Sequence, residues 1–204
     1  MFRERYGLGM DEKVVVSVGH TIARKGLIEF LELAREMPGV RFVWFGWTSP
    51  RLVPAEIAQA MEHAPANVLF PGYVGREELR DAYCGADAFA FLSHEETEGI
   101  VVLEALACGI PVVLRDIPVY DGWLENGKNV YKASNNDEFL RIVSGILEKR
   151  LPDLTAEGRA AAEARSLERV GDQLREIYRR ENIAPPAPVG VTARKFHLRR
   201  RGAL

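Results

Sequence analysis

The stretch AFAFLSHEETEGIVVLEALACGIPVVL, residues 88–114, decides the class of fold. AFAFL at 88–92 and PVVL at 111–114 are short apolar runs, with the length and composition of strands buried on both faces. Between them an acid-rich loop runs into a helical pattern over residues 99–107. Strand, loop, helix and strand make one crossover unit of a parallel sheet. Within it, residues 100–114 are almost wholly apolar, yet Glu104 stands in their middle, and Glu95, Glu96 and Glu98 crowd the entrance. A carboxylate buried there without a partner would cost on the order of several kcal/mol. Glu104 therefore calls for a partner.

The same alternation extends outward in both directions. VVVSV at 14–18 reads as a strand, and KGLIEFLELAREM at 25–37 places Leu27, Phe30, Leu31, Ala34 and Met37 on one helical stripe. RFVWF at 41–45 is a second strand, ended by Gly46, and PAEIAQAMEHA has Pro54 at a helix start. VLF at 68–70 precedes Pro71 and Gly72, and REELRDAYCGA is a helix closed by Gly85. A weaker strand is expected near Val130 and Tyr131. Asn135 then caps a helix with Glu138 three residues on, and its stripe is Phe139, Leu140, Val143, Ile146 and Leu147. Helical segments over 156–165 and 167–180 follow. Strand and helix alternating in this way predict an open parallel α/β sheet with helices on both faces. In such a sheet a ligand lies at the carboxyl ends of the strands. That rule selects the loops at 20–25, 46–49, 71–75 and 93–99.

The bulk numbers are those of an ordinary globular chain: 204 residues, 47% hydrophobic, formal net charge −2. Cys84 and Cys108 sit in apolar helix-like settings and read as buried thiols of a reducing compartment. No apolar run approaches the ~18 residues of a membrane span, and MFRERYGLGMDEK at 1–13 has no apolar signal core. A cytoplasmic location is expected. Beyond Ile183 the chain turns to APPAPVG and then VTARKFHLRRRGAL, with five basic residues and no acid. Removing those five from 27 basic residues leaves 22 against 29 acids, so the body is near −7 and the tail +5. The tail at 182–204 reads as a disordered terminus behind a proline linker. The alternative is a basic arm making a peripheral contact with an anionic inner membrane face. Nucleic acid is disfavoured as a partner, because the acidic body repels phosphate.

The loops carry the chemistry. GHTIARKG at 19–26 sets His20, Arg24 and Lys25 above a helix start, an arrangement that suits a phosphate. In the loop at 93–99 the free N–H groups of the following helix make a second anion cradle. Glu104, just over a turn inside that helix, can reach the strand ends. There it would accept hydrogen bonds from vicinal hydroxyls, as acids do with ribose in dinucleotide folds. No Asp-x-Asp pattern is present, the remaining acidic pairs suit helix caps, and neither a metal nor another cofactor is expected.

Glu96 and Glu104, separated by seven residues and followed by ALACGIPVV, resemble the signature of the family 4 glycosyltransferases, retaining enzymes of the GT-B fold. VVSVGHTIARKG, FVWFG and LFPGYVGREELRDAYCGADAFAFLS are similar, in order, to that family's first donor loop, second strand and base-binding loop with its helix. The resemblance covers residues 14–178 and implies a Rossmann-like donor-binding domain at 14–181, one half of a GT-B enzyme, behind a connector remnant at 1–13. It implies that Glu104 holds the ribose hydroxyls and Glu96 the hydroxyls of the donor sugar. Main-chain N–H groups at Gly99, Ile100 and Val101 would face the diphosphate or sugar, and Lys25 would pair with the diphosphate. Tyr73 and Val74 would border the base, and Gly46 would line the same site. Two features depart from the pattern. His20 stands where the family has arginine, so that Arg24 or His20 itself must assist the leaving diphosphate, and the turn after Glu96 is Thr97-Glu98-Gly99.

EETEGIVVLEALA is similar to bacterial glycolipid glucosyltransferases, which implies UDP-glucose as donor and a membrane glycolipid as acceptor. The family further implies retention with no dedicated protein base, the departing phosphate taking the acceptor proton on the same face. MFRERYGLG resembles the connector that precedes the second domain, so a donor half lacking its N-terminal acceptor domain is expected, binding nucleotide but inactive alone. Two rival readings are the corresponding half of a GT-B-like sugar-nucleotide epimerase and a non-catalytic nucleotide-binding or interaction domain of response-regulator type. The glutamate spacing speaks against the first, and Gly19-His20 at the end of the first strand against the second.

Overall fold

The computed structural model describes residues 1–181. They form a compact unit, Met1–Arg165, and a second that opens at Ser166. In chain order the first unit contains α1 (Phe2–Arg5), β1 (Lys13–Val18), α2 (Leu27–Glu36), β2 (Val40–Phe45), α3 (Ala55–Glu62), β3 (Val68–Gly72), α4 (Arg76–Gly85) and β4 (Ala88–Phe91). Then follow α5 (Ile100–Cys108), β5 (Val112–Arg115), β6 (Tyr131–Ala133), α6 (Asn136–Leu147) and α7 (Thr155–Glu163). The second unit holds α8 (Leu167–Arg180), whose stripe of Leu167, Val170, Leu174 and Ile177 is exposed. The tail at 182–204, read above as disordered or as a basic arm, lies outside the described residues.

Six parallel strands make one sheet in the order β3-β2-β1-β4-β5-β6. β1 is central, and Val14, Val15 and Val16 have no exposed surface, because a parallel strand with helices on both faces has no wet side. Val14 and Val16 join Phe2, Leu8, Tyr83, Val102 and Leu106 in one apolar layer. Val15 joins Leu27, Phe30, Leu31, Phe139 and Val143 in the other. The strand period of two thus feeds two cores. At the amino ends of the strands, Asp87 accepts from Arg3 at 2.8 Å, Lys13 at 3.1 Å and the Val14 amide at 2.9 Å. At the carboxyl ends, Arg115 donates to the Leu92 carbonyl at 2.9 Å and the Ser134 carbonyl at 3.3 Å, tying three neighbouring connections together. The expected cap is present: the Asn135 side chain accepts from the Glu138 amide at 3.0 Å. Pro54 lies at the N-cap of α3, one residue before its first turn.

The cysteines differ from expectation. Cys84 is exposed and Cys108 half-buried, because the apolar segments around them turn only one face inward. Burial, and then the neighbouring Cys84, push the Cys108 thiol up to about 11.

Buried phenols set an alkaline limit on this fold. Burial raises Tyr83 and Tyr120, which are 2% and 0% exposed. Tyr6 is pushed up to about 12, by burial and then by its bond to Glu78. The unfolded chain ionises these rings near 10, and the folded chain does not. Their contribution is therefore whole below pH 10 and is lost as the pH climbs above it. Urea midpoints are expected to hold to that point and then fall toward pH 12. The slope approaches about 1.4 kcal/mol per pH unit for each of Tyr83 and Tyr120. A midpoint unchanged at pH 12, with ring ionisation visible at 295 nm, would contradict this.

Candidate active site

Two glycines bring the strand ends close enough to share one cleft. Gly46 has φ +130°, and a β-carbon there would lie 2.0 Å from the Gly19 carbonyl oxygen. Gly26 has φ +75°, and a β-carbon would lie 2.4 Å from the Leu92 carbonyl oxygen. The turns after β1, β2 and β4 are thereby packed backbone against backbone. The cleft they enclose holds about 400 Å³. All four loops chosen by the strand-end rule contribute to it: Gly19, His20 and Lys25 from the first, Gly46 and Trp47 from the second, Tyr73 from the third. The fourth supplies the whole run from Glu96 to the start of α5, including Gly99, Ile100 and Val101.

Lys25 and Glu96 meet inside the cleft, the ammonium donating to a carboxylate oxygen across 71 residues of sequence. Their side chains are only 13% and 9% exposed. The ammonium also lies 5.7 Å from the centre of the Phe91 ring. His20 donates through Nδ1 to the Trp47 carbonyl at 3.0 Å, which leaves Nε2 unengaged by that bond. The first amides of α5 stand at a helix N-terminus, where no intrahelical acceptor exists and the dipole favours negative charge. A cation, three helix-end amides and an acid beside them can take a phosphorylated polyol: phosphate oxygens on the N–H groups and Lys25, hydroxyls on Glu96.

Glu104 is placed elsewhere. It does not line this cleft but a separate recess of about 230 Å³ with Arg76, Leu79, Arg80, Tyr83, Ala107 and Cys108. Its closest described donor is the Tyr83 hydroxyl at 3.5 Å, a long contact. Nor is it enclosed in grease as its sequence neighbours suggested. Ile100, Leu103, Glu104 and Ala107 form the outer stripe of α5, on which Ile100 is 60% exposed and Glu104 half-buried. Arg24 also faces away from the cleft. Its guanidinium donates to the Glu95 carbonyl at 2.9 Å and borders a groove with Glu29 and His94. Val74 packs its side chain into a core layer. Trp47, Thr97 and Glu98, which lie in the selected loops but carry no assigned role in the sequence reading, also line the cleft, and Tyr120, absent from that reading, lies behind it. Trp47 directly follows a glycine already singled out, and that adjacency was the available signal. Among the described residues no group of three or more His, Cys, Asp or Glu is placed to hold a metal ion. No described helix is long and apolar enough to cross a membrane.

Comparison with known proteins bears on this geometry. A family model described as "Glycosyl transferases group 1" matches residues 2–165. The processive diacylglycerol alpha-glucosyltransferase of Acholeplasma laidlawii is 42% identical over 177 residues, which is 87% of this chain and 53% of that protein. The alpha-galactosylglucosyldiacylglycerol synthase of Streptococcus pneumoniae is 34% identical over 149 residues, 72% of this chain and 38% of that one. The chain thus spans about half or less of these relatives' lengths. Among solved structures, sucrose-phosphate synthase of Thermosynechococcus elongatus superposes with a TM-score of 0.78 at 23% identity, over 90% of this chain and 49% of that one. HepE of Anabaena in complex with UDP-glucose gives 0.76 at 20% identity, over 87% and 51%. These likenesses are of fold: a Rossmann-like sheet, one half of a GT-B enzyme.

Proposed function

Since this chain belongs to the group 1 glycosyl transferases, we propose that its cleft binds the diphosphate and sugar of UDP-glucose. In this reading it is the donor half of a retaining enzyme, of the family 4 type, that transfers a hexose to a membrane glycolipid. The observation that carries the reading is the meeting of Lys25, Glu96 and the free amides of α5 in one cleft at the strand ends. Lys25 and the N–H groups of Gly99, Ile100 and Val101 take the diphosphate and stabilise charge as it leaves, with His20 assisting. Glu96 positions the sugar hydroxyls. No metal is assigned a part, because Lys25 and the helix end supply the positive potential. Tyr73, 84% exposed at the cleft rim, borders the base. Glu104 takes the ribose hydroxyls, the nucleoside spanning from the cleft into the recess beside Tyr83. Support for a lipid acceptor comes from two relatives whose names contain diacylglycerol, one a diacylglycerol glucosyltransferase and the other a galactosylglucosyldiacylglycerol synthase. Transfer itself is assigned to this half joined to an N-terminal acceptor domain.

Calorimetry against UDP, UDP-glucose, GDP and ADP tests the donor assignment. The expected result is weak binding that prefers UDP-glucose, and no heat with any of the four would overturn it. Glu104→Gln should lower UDP affinity by about tenfold, the size of one hydrogen bond to a charged group. An unchanged affinity would remove Glu104 from the ribose site and leave the diphosphate site intact.

A further inference from the structure

Tyr120 has no exposed surface, and its hydroxyl has no hydrogen-bond partner among the described residues. It lies in a short 3₁₀ turn, Pro118–Tyr120, beyond β5. A buried hydroxyl left unpaired is costly, and folded chains rarely retain one without a use. This one is aimed at the wall of the cleft: a β-carbon on Gly99 would lie 2.8 Å from the phenol oxygen. Gly99 needs its left-handed backbone (φ +76°) and its lack of a side chain to fit there. The ring is held from behind by Trp123, edge to face at 5.9 Å, and Trp123 by its own bond to the Val119 carbonyl at 3.0 Å. After burial, the charge that most raises the phenol is that of Glu96.

We propose that Tyr120 is a positioning residue that takes over Glu96 when a nucleotide sugar enters the cleft. In the free chain one carboxylate serves one donor: Lys25 is bonded to Glu96 and Tyr120 is bonded to nothing. A diphosphate competes for Lys25, and when the ammonium turns to it, Glu96, whose side chain is 9% exposed, would stand without a partner. The phenol supplies the missing hydrogen bond without supplying a charge. Glu96 is then fixed in direction, with its remaining lone pairs free for sugar hydroxyls. The exchange leaves Lys25, Glu96 and Tyr120 all satisfied in the bound state, and the phenol that is unpaired in the free state stands where the ligand will use it.

This inference rests on the donor reading of the cleft, and one experiment separates the two. UDP and UDP-glucose are titrated into the wild-type chain and into Tyr120→Phe, and the unfolding midpoint of each is measured. The phenylalanine variant should be as stable as wild type or more so, because it removes an unpaired buried hydroxyl. It should lose roughly tenfold in affinity for UDP, the loss of one hydrogen bond to a charged group, and less for UDP-glucose, whose sugar hydroxyls also bond Glu96. A variant that keeps the wild-type ratio of the two affinities, or that weakens both ligands and lowers stability together, overturns the positioning role and leaves the donor reading standing. A wild-type chain that binds neither ligand removes both.

Discussion

Gly46→Ala is expected to destabilise the chain by on the order of 4 kcal/mol, enough to unfold a large share of a domain whose whole stability is about 5–15 kcal/mol. Two costs coincide. The backbone at φ +130° is a region that a side chain strains, and the added methyl would meet the Gly19 carbonyl oxygen at 2.0 Å. A flexible side chain could yield to such an intrusion, but a main-chain carbonyl in a packed turn cannot. The Gly46 amide donates to the Gly72 carbonyl at 2.8 Å and the Gly19 amide to the Phe45 carbonyl at 2.9 Å, so a shift at one turn propagates to the ends of three strands. Gly39→Ala is the control, since nothing lies within 4 Å of a β-carbon there and its backbone is ordinary. It should change stability by less than about 0.5 kcal/mol. Urea unfolding of both variants checks the pair, and equal midpoints would mean that the strand ends are not locked as described.

That lock also marks where the sequence stopped being readable. β1 and β2 could be read because a central parallel strand must be apolar on both faces, and VVVSV and RFVWF state that constraint in composition alone. The four strand-end loops could be read because the rule that selects them depends only on strand direction. The four loops that the rule selects do not include the turn beyond β5, where Tyr120 lies. The environment of Glu104 was not legible. α5 is apolar on nearly every side, so hydrophobic pattern cannot say which stripe faces outward; only the packing of α4, α7 and the sheet decides that Ile100, Glu104 and Ala107 do. Residues 1–13 read as a connector, and four residues of helix carry no period, yet Phe2 and Leu8 are 4% and 5% exposed in a core layer. The Lys25–Glu96 pair is a contact over 71 residues. Sequence assigned each of the two a ligand and could not see that, before any ligand arrives, they hold one another.

Lys25→Met should expose how much depends on that pair. It leaves the Glu96 carboxylate 9% exposed with its cation gone, and breaking a buried pair from one side costs about 3–5 kcal/mol. Glu96→Gln is milder, since an amide oxygen still accepts from the ammonium. Combining it with Lys25→Met removes both charges and should recover part of the loss, because no buried charge is left uncompensated and only the Gln amide lacks a partner. A double-mutant cycle on urea midpoints measures the coupling, and additive single effects would show that the pair contributes nothing. Binding should follow a different order. Lys25→Met loses the cation proposed to take the diphosphate and should weaken UDP by roughly tenfold or more. Glu96→Gln frees Lys25 from its carboxylate, so UDP should bind as tightly as to wild type or more tightly, while the gain from the attached glucose disappears. Stability and affinity thus pull Glu96 in opposite directions. A free chain that holds the Lys25 ammonium against an internal acid keeps a buried charge neutralised, and on the proposed reading does so at the expense of some affinity for the nucleotide. It recovers part of that only from a ligand whose sugar gives Glu96 another task. Such an exchange selects for the complete nucleotide sugar over the bare nucleotide left behind after transfer, which is the discrimination a donor site needs.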